Sequence, residues 1–394
     1  MAKRKIIPVL LGADLNCYSV ARAFHEAYGV KSYVFGKDEL GTVKYSKIVS
    51  FTKIPPLIER EKVLSILVDF ADGMIDKPFI FGCTDEYAIF IIENQDVLSE
   101  HYICNCPKSE LLPVISDKAE FYAECENLAI PYPESIVISS PNDAGKAREL
   151  SFEYPAIIKP SCSFEYWRHP FEKMRKVYVS HSASESERII SEIFSSGYDK
   201  KIIIQKKIQG EKQYVATCFS DRGKVLAMCV GRVLLGELTP KGIGNHVAII
   251  TEKNDNISSP VSRFLAAVKY TGFSNFDVMR DEKDGKYYLL EINPRQGRSN
   301  YYMTSAGINI AKIAVEKTEC SLCEKEIFWH SVPTRIVEKR CSADDAEKIK
   351  SLSKSNKSFS PLFYHADLFD IRRDIYLAAH NFGFYHKYSK YDEH

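Results

Sequence analysis

A β-hairpin in the second half of the chain limits its fold most strongly. Two apolar runs, residues 273–280 and 286–293, flank a polar turn at residues 281–285. Runs of this kind around a short turn predict paired antiparallel strands. Because side chains alternate faces along a strand, Asp277 and Glu291 interrupt the two apolar runs on one face. The chain is therefore expected to contain an antiparallel sheet with an acidic face.

The acidic face of this hairpin offers ligands for a hard metal ion. Symmetric pairing about the turn would place Asp277 opposite Leu289 and diagonal to Glu291. Asn293 would share the face of Glu291, with Leu290 on the buried face. Mg²⁺ usually takes one or two carboxylates plus substrate phosphates. The candidate metal ligands are Asp277, Glu291 and Asn293, and the alternative is a solvated face with ordinary surface acids.

Two arginines, Arg295 and Arg298, follow the acids directly. Guanidinium groups bind phosphate and carboxylate oxygens bidentately. A metal site beside an arginine pair suits a place where a phosphate and a carboxylate meet. The alternative is that the two arginines form surface salt bridges.

Lysines and a strand-to-loop junction earlier in the chain are candidates for holding a nucleotide. Lys118 lies in the first turn of a helix, where its positive charge is unfavourable beside the positive end of the helix dipole. A nearby polyphosphate would offset that cost. Lys159 lies inside the apolar strand PAIIKP, where it holds an anion or reaches water at a sheet edge. The junction could offer backbone groups to an adenine and Glu211 to a ribose. Its candidate residues are Gln205, Lys206, Lys207, Ile208 and Glu211.

The first third of the chain alternates apolar runs with helical stretches. Apolar runs at residues 6–11, 32–35 and 78–81 alternate with helices expected at 17–28 and 59–72. This alternation is typical of a parallel sheet with crossover helices. Together with the hairpin, it predicts the α/β (α+β) class.

Composition excludes several classes of protein. The chain of 394 residues has 53 basic and 52 acidic residues, whereas nucleic-acid binders usually show a basic excess. No apolar stretch is long enough for an integral membrane protein. The 11 scattered cysteines indicate reduced thiols and a cytoplasmic location. Neither Cys320/Cys323 nor Cys104/Cys106 is followed by a second pair of His or Cys residues at zinc-finger spacing, so we expect no structural zinc.

Several catalytic motifs are missing from the sequence. We find no G-x-x-x-x-G-K-[ST] loop and no G-x-G-x-x-G after a strand. We also find no G-x-S-x-G elbow and no H-E-x-x-H. Kinase, dehydrogenase, hydrolase and zinc-protease functions therefore lack their chemical signatures.

The order of these features resembles the ATP-grasp superfamily. A helix lysine, a strand lysine, a hinge and an Asp…Glu-x-Asn hairpin follow one another, and LLEINPRQGRS is similar to carboxylate–amine ligase and carbamoyl-phosphate synthetase motifs. Within the superfamily the chain resembles the D-aspartate ligase family. The segments that carry this likeness are IPVLLGADLNCYSVARAFHEAYG, VKYSKIV, LAIPYPES, GIGNHVAI and YTGFSNFDV.

The resemblance implies a domain organisation. Residues 1–115 would form the small parallel α/β domain that precedes the ATP-grasp unit. Residues 116–207 would form its lid subdomain, and residues 208–326 the antiparallel-sheet subdomain that binds ATP and metal. Residues 327–394 are expected to form a helical, basic and aromatic tail.

The resemblance also implies an activity. The family activates the β-carboxylate of D-aspartate with ATP and Mg²⁺ (or Mn²⁺), and couples it to the lysine side-chain amine of a peptidoglycan precursor. By this likeness Lys118 and Lys159 would hold ATP phosphates, and residues 205–208 would line the adenine pocket. Arg295 and Arg298 would steady the transferred phosphoryl group and the carboxylate. No nucleic-acid partner is expected, and we allow for a homodimer.

An acidic amino-acid substrate would need protein side chains that bind its two carboxylates and its ammonium group. Arg295 and Arg298 could serve one carboxylate each, and the ammonium needs acceptors. Open α/β sheets bind ligands at strand-end loops, which makes the N-terminal domain the expected source. The candidate acceptors are Asp14, Asn16 and Asp85.

The chain departs from the superfamily pattern at three places. The loop after Lys159, SCSFEYWRHPF, has no glycine. Gln205 stands where many members have Glu, and Asn275 stands where D-Ala–D-Ala ligases have Arg. Two alternatives therefore stay open: a ligase for another amino acid or acceptor, and a catalytically silent nucleotide-binding regulator.

Overall fold

The computed structural model describes residues 4–210, 212–239, 242, 244–320 and 322–391. Within these residues the strands form three sheets, which helices cover. The expected α/β (α+β) class is confirmed. Glu211, expected at the ribose, lies outside the described residues.

The N-terminal sheet is parallel, as expected, with the strand order β3-β2-β1-β4-β5. Asp14 accepts a hydrogen bond from the Cys17 amide and so begins α1, and Gly29 ends it in the left-handed conformation at φ 66°. The elements are β1 (Pro8–Leu11), α1 (Leu15–Tyr28), β2 (Ser32–Gly36), β3 (Val49–Lys53), α2 (Arg60–Asp72), β4 (Phe79–Gly82), α3 (Asp85–Glu93), α4 (Gln95–His101), β5 (Ile103–Cys104) and α5 (Leu112–Ser116).

The small antiparallel sheet has the order β6-β9-β7-β8. The Asp117 side chain caps α6 by accepting hydrogen bonds from the amides of Ala119 and Glu120, and the Glu120 side chain forms an ion pair with Lys201. The elements are α6 (Lys118–Asn127), β6 (Ser135–Ile138), β7 (Ala156–Pro160), α7 (Ser163–Tyr166), β8 (Tyr178–Ser180), α8 (Ala183–Ser195) and β9 (Ile202–Lys206).

The large sheet has the order β14-β13-β10-β11-β12-β15-β16. It contains β10 (Lys212–Asp221), β11 (Lys224–Gly236), β12 (His246–Thr251), β13 (Gly272–Arg280), β14 (Tyr287–Asn293), β15 (Phe328–His330) and β16 (Ser358–Phe359). The helices of this part are α9 (Asp255–Ala267), α10 (Tyr301–Ser305), α11 (Ile310–Glu316), α12 (Thr334–Glu338), α13 (Ala343–Lys354) and α14 (Ile371–Lys390). Pro260 lies inside α9, where it cannot donate a helix hydrogen bond, and Ile257 and Val261 beside it are buried.

The hairpin of β13 and β14 forms as expected, but its register is different. The ladder shifts between Asp277 and Val278, so that Asp277 lies directly opposite Glu291. A β-bulge of this kind places an extra residue, here Leu290, in one strand. Leu289 is therefore buried in the core and Leu290 is only half-buried, the reverse of the expectation.

The C-terminal tail contacts both the large sheet and the N-terminal domain. Its strands β15 and β16 extend the large sheet. The sequence analysis expected a helical tail and did not predict these two strands. The Arg373 side chain lies 3.4 Å from Asp367, and Asp367 accepts a hydrogen bond from the Tyr18 hydroxyl at 2.7 Å. These contacts hold the tail beside α1. The domain boundaries at residues 115, 207 and 326 stay a prediction.

All 11 cysteines are free thiols. Among the described helices, none combines the length and the apolar character needed to cross a bilayer.

Candidate active site

A cavity of about 830 Å³ lies where segments from all three sheets meet. The carboxyl ends of the N-terminal strands β1 and β4 open on one side, and the β13–β14 hairpin forms another. Most of the residues singled out in the sequence line it, namely Asp14, Asp85, Lys118, Asp277, Glu291, Asn293, Arg295 and Arg298. The hairpin and the strand-end loops are therefore brought together, as the sequence predicts.

The remaining candidates that the structure describes do not line this cavity. The buried Asn16 amide donates to the carbonyls of Cys83 and Gln296 and so joins the N-terminal domain to the loop after β14. The Gln205 amide donates to Ser135 Oγ at 2.8 Å. Lys206 ends β9, Lys207 is exposed and Ile208 is buried. Asn16 therefore has a structural place instead of the expected substrate contact.

Two acids face each other at the hairpin end of the cavity. Burial, followed by the charge of Glu291, raises the pKa of Asp277 to about 8. Burial acts in the same direction on Glu291, but the ammonium groups of Lys118, Lys176 and Lys159 hold the pKa of Glu291 well below its usual range. One acid is thus charged and the other resists ionisation, because two close carboxylates repel each other.

Lysines surround the acid pair. Lys118 Nζ lies 3.0 Å from Glu291 Oε2 and donates to Ser163 Oγ at 3.1 Å. Lys159 is buried just outside the cavity and donates to the Tyr122 hydroxyl at 2.9 Å. Burial, and then the charge of Lys118, lowers the pKa of Lys159 to about 7. Lys159 is therefore a buried cation with a neutral partner, and not the water-exposed edge residue of the alternative.

Tyr122 connects Lys159 to the hairpin. Its hydroxyl accepts from Lys159 and donates to the carbonyl of Leu290 at 2.7 Å. Leu290 is the residue of the bulge that sets Asp277 opposite Glu291. The Tyr122 ring stacks on Tyr132 with centroids 5.1 Å apart. The register of the two acids is thus supported from α6.

At the other end of the cavity, the two arginines have acidic partners. Arg295 forms an ion pair with Asp85, with Nε 2.8 Å from Oδ1, and its Nη2 donates a hydrogen bond to Oδ2 at 3.0 Å. Arg298 Nη1 lies 3.0 Å from Glu237 Oε2. Burial raises the pKa of Asp14, against the opposing effects of the Cys17 amide and the two arginines. The arginines are therefore balanced by acids in the free protein.

The loop that carries these arginines is fixed by a close approach. A Cβ on Gly297 would lie 2.6 Å from Asn275 Oδ1, closer than a side chain allows. Asn275 itself accepts a hydrogen bond from Thr217 Oγ1 at 3.0 Å. Only glycine at position 297 lets the loop follow the hairpin so tightly.

Sequence reasoning missed several residues that line the cavity. They are Lys176, which is exposed, His246 at the start of β12, and Ser163. Burial, with the charge of Lys176, lowers the pKa of His246 to about 4, so its ring is neutral at pH 7. His246 lies in GIGNHVAI, one of the segments that resemble the D-aspartate ligase family, so that likeness could have identified it. Lys176 lies in an irregular stretch with no sequence pattern that indicates a site.

The residues at the hairpin end fit a divalent cation. Asp277, Glu291 and the amide of Asn293 offer only oxygen ligands, which Mg²⁺ prefers. The Asn293 amide lies 3.4 Å from Asp277 Oδ2. Among the described residues, no three His, Cys, Asp or Glu side chains form a metal cluster. A metal here would therefore complete its ligands with phosphate or water oxygens, and it would relieve the repulsion between the acids.

Known proteins are similar to this chain in sequence. The family model described as an ATP-grasp domain matches residues 115–299. D-aspartate ligase from Enterococcus faecium is 32% identical over 384 residues, which cover 92% of this chain and 91% of that protein.

Solved structures share the fold. An L-amino acid ligase from Bacillus licheniformis matches with a TM-score of 0.58 and 14% identity, over 80% of this chain and 75% of its own. The biotin carboxylase domain of the Hydrogenobacter thermophilus 2-oxoglutarate carboxylase, solved with MgADP, ADP and bicarbonate, matches with a TM-score of 0.56 and 15% identity. That match covers 74% of this chain and 64% of the other. Neighbours of this fold thus bind ADP and magnesium.

Proposed function

Since the chain belongs to the ATP-grasp family of ATP-dependent carboxylate–amine ligases, we propose that its substrates are D-aspartate and a lysine-containing peptidoglycan precursor. The β-carboxylate of D-aspartate takes the γ-phosphoryl group of ATP to form an acyl phosphate. The lysine amine then displaces phosphate. The observation that carries this proposal is one cavity with an acid pair among lysines at one end and an arginine pair at the other.

The hairpin end is assigned to ATP. Lys118 and Lys159 lie beside the acid pair, where they would bind the phosphate oxygens. Asp277, Glu291 and Asn293 would hold Mg²⁺ or Mn²⁺, which neutralises charge on the transferring phosphoryl group when bound. On nucleotide binding Lys118 exchanges its contact with Glu291 for phosphate. The adenine position at residues 205–208 is part of the same proposal.

The arginine end is assigned to the amino acid. Arg298 and Arg295 supply cations for the two carboxylates of aspartate, and Asp14 and Asp85 supply acceptors for its ammonium group. Charged groups of this kind disfavour neutral analogues, because a neutral substrate would leave them without the partners that aspartate supplies. D-Alanine and glycine are therefore expected to be poor substrates.

The stereochemistry and the acceptor rest on the name of the Enterococcus relative. A cytoplasmic location, where ATP and reduced thiols coexist, belongs to the proposal. A homodimer remains a prediction.

The test is ADP formation with D-aspartate, L-aspartate, D-glutamate, D-alanine and glycine. Each is assayed with and without a lysine-containing pentapeptide precursor, and the product mass is measured. We expect the fastest reaction with D-aspartate plus precursor, and a product heavier by one aspartyl residue. Faster ligation of D-alanine or L-aspartate would refute the substrate assignment. Binding of ADP without turnover of any pair would favour the silent regulator.

A further inference from the structure

The C-terminal helix α14 has two apolar faces, and one of them has no partner among the described residues. Its buried face packs on the molecule through Leu377, Phe384 and Tyr388. On the opposite side, Ile371, Ile375 and Phe382 are 78%, 64% and 76% exposed. The spacing of four and seven residues places these three on one side of a helix. With Phe369 (90% exposed) and Tyr385 (45% exposed), they form what we call the α14 apolar face.

Basic side chains border this face. Arg372, Lys387 and Lys390 lie on α14, and all are exposed. Lys47 Nζ contacts the carbonyl of Leu368 at 3.3 Å, beside Phe369. Arg372 and Lys44 both lie over the ring of Tyr45, each 5.2 Å from its centroid. The acids of α14 and its cap are Asp374 and Asp370, of which Asp370 pairs with Arg372, and the nearby Asp367 is fully buried.

We propose that the α14 apolar face and its basic border bind an anionic lipid surface. An interfacial helix of this type inserts bulky apolar side chains at the acyl boundary, while lysines and arginines contact anionic headgroups. A second copy of the chain would bring the same cations face to face, so charge disfavours that occupant. Single exposed apolar residues are common on protein surfaces, but a contiguous group of this size marks an interaction site.

The position of α14 relates this surface to the cavity. Tyr376, on the inner side of the helix, packs so closely on Gly41 that a Cβ there would lie 2.3 Å from its ring. The neighbouring Leu40 lines the cavity. A helix bound to lipid would therefore hold the cavity beside the bilayer. This inference does not depend on the identity of the amino acid.

The test is vesicle co-sedimentation of the full-length protein. One set of vesicles contains phosphatidylcholine alone, and the other contains phosphatidylcholine with phosphatidylglycerol. We expect binding to the second set that weakens as salt is raised. The charge variant Lys387→Gln/Lys390→Gln should bind about 30-fold more weakly, since each basic side chain near an anionic surface adds about fivefold. The apolar variant Ile375→Ser/Phe382→Ser should lose at least about tenfold.

The control variant Ile58→Ser/Ile75→Ser removes exposed apolar side chains elsewhere and should bind as the wild type does. Thermal unfolding and ATP turnover without vesicles should be unchanged in all three variants. Equal binding to both vesicle types, or no binding, would overturn the proposal. Loss of a dimer in the apolar variant, seen by analytical ultracentrifugation without vesicle binding by the wild type, would assign the face to a second copy instead.

Discussion

At the hairpin end of the cavity two acids face each other among lysines, whereas at the arginine end each guanidinium group has its own acid. Lys118 pairs with Glu291, but Asp277 keeps a raised pKa and Lys159 a lowered one. Arg295, by contrast, forms an ion pair and a hydrogen bond with Asp85. The acids of the hairpin end would thus gain a counter-charge from an incoming metal ion, and its lysines would gain one from a phosphate group. At the arginine end each arginine is already paired with an acid. A substrate that binds there must therefore replace ion pairs within the protein with its own contacts.

The largest effect should follow from changes to the acid pair. Asp277→Asn and Glu291→Gln should each lower kcat/KM by about 10³-fold or more, since they remove ligands of a cation that stabilises transferring charge. The fold should persist, because the changes keep side-chain size. Glu282→Gln, an exposed acid in the turn of the same hairpin, is the matched control and should stay active. Full activity of either variant at limiting Mg²⁺ would contradict the metal assignment.

A smaller and different effect is expected at the arginine end. Arg298→Gln should raise the KM for D-aspartate by roughly 100-fold, because the lost charge leaves the partly buried Glu237 and the substrate carboxylate unpaired. The KM for ATP should change little. Arg222→Gln removes a guanidinium that is 88% exposed and serves as the control. If steady-state kinetics showed that the KM for ATP and the KM for D-aspartate rise together, the separate roles of the two ends of the cavity would be contradicted.

The support of the bulge by Tyr122 predicts a milder change. Tyr122→Phe removes the hydrogen bond to Leu290 and the acceptor for Lys159. The Mg²⁺ concentration for half-maximal activity should rise about tenfold, the value of one lost hydrogen bond near a charge. Tyr132→Phe keeps the stacked ring and loses only an exposed contact with Glu126. An equal effect of both variants would show that the hydroxyl of Tyr122 does not position the acids.

The smallest expected effect concerns the stability of the nucleotide-free protein. Burial lowers the pKa of Lys159 from 10.5 to about 7, so between these values the unfolded chain binds a proton that the folded chain does not. Stability of the wild type should therefore rise with pH across this window. Lys159→Met removes the buried cation and should be more stable than the wild type at pH 6, with a gain that is smaller by about 2–3 kcal/mol at pH 9. Urea unfolding measures both, and a gain that grows with pH would contradict the burial of a charged lysine.

Local signals made much of the fold predictable. The helix that ends at Gly29, the parallel strands of the N-terminal sheet and the β13–β14 hairpin all follow from short-range patterns. The edge strand β6 (Ser135–Ile138) was missed, because it is only partly buried and shows no alternation. The tail strands β15 and β16 were missed as well, since they are short and gain their partners from the large sheet.

The site was predictable in its residue types but not in its pairings. The acids, arginines and Lys118 could be named from spacing and chemistry. The ion pair of Arg295 with Asp85 joins positions 210 residues apart, and no local pattern encodes it. The carbonyl of the bulge residue Leu290 accepts a hydrogen bond from Tyr122, which lies one helical turn after Lys118 on the same face of α6. That spacing was the available signal for Tyr122.

The most direct measurement is calorimetric binding of two ligands, MgADP and D-aspartate, to two variants, Glu291→Gln and Arg298→Gln. If the hairpin end binds the nucleotide and the arginine end the amino acid, Glu291→Gln should lose MgADP affinity and keep D-aspartate affinity. Arg298→Gln should show the reverse. Loss of D-aspartate binding in Glu291→Gln with MgADP binding intact, or equal loss of both ligands in either variant, would contradict the division of the cavity into two ends.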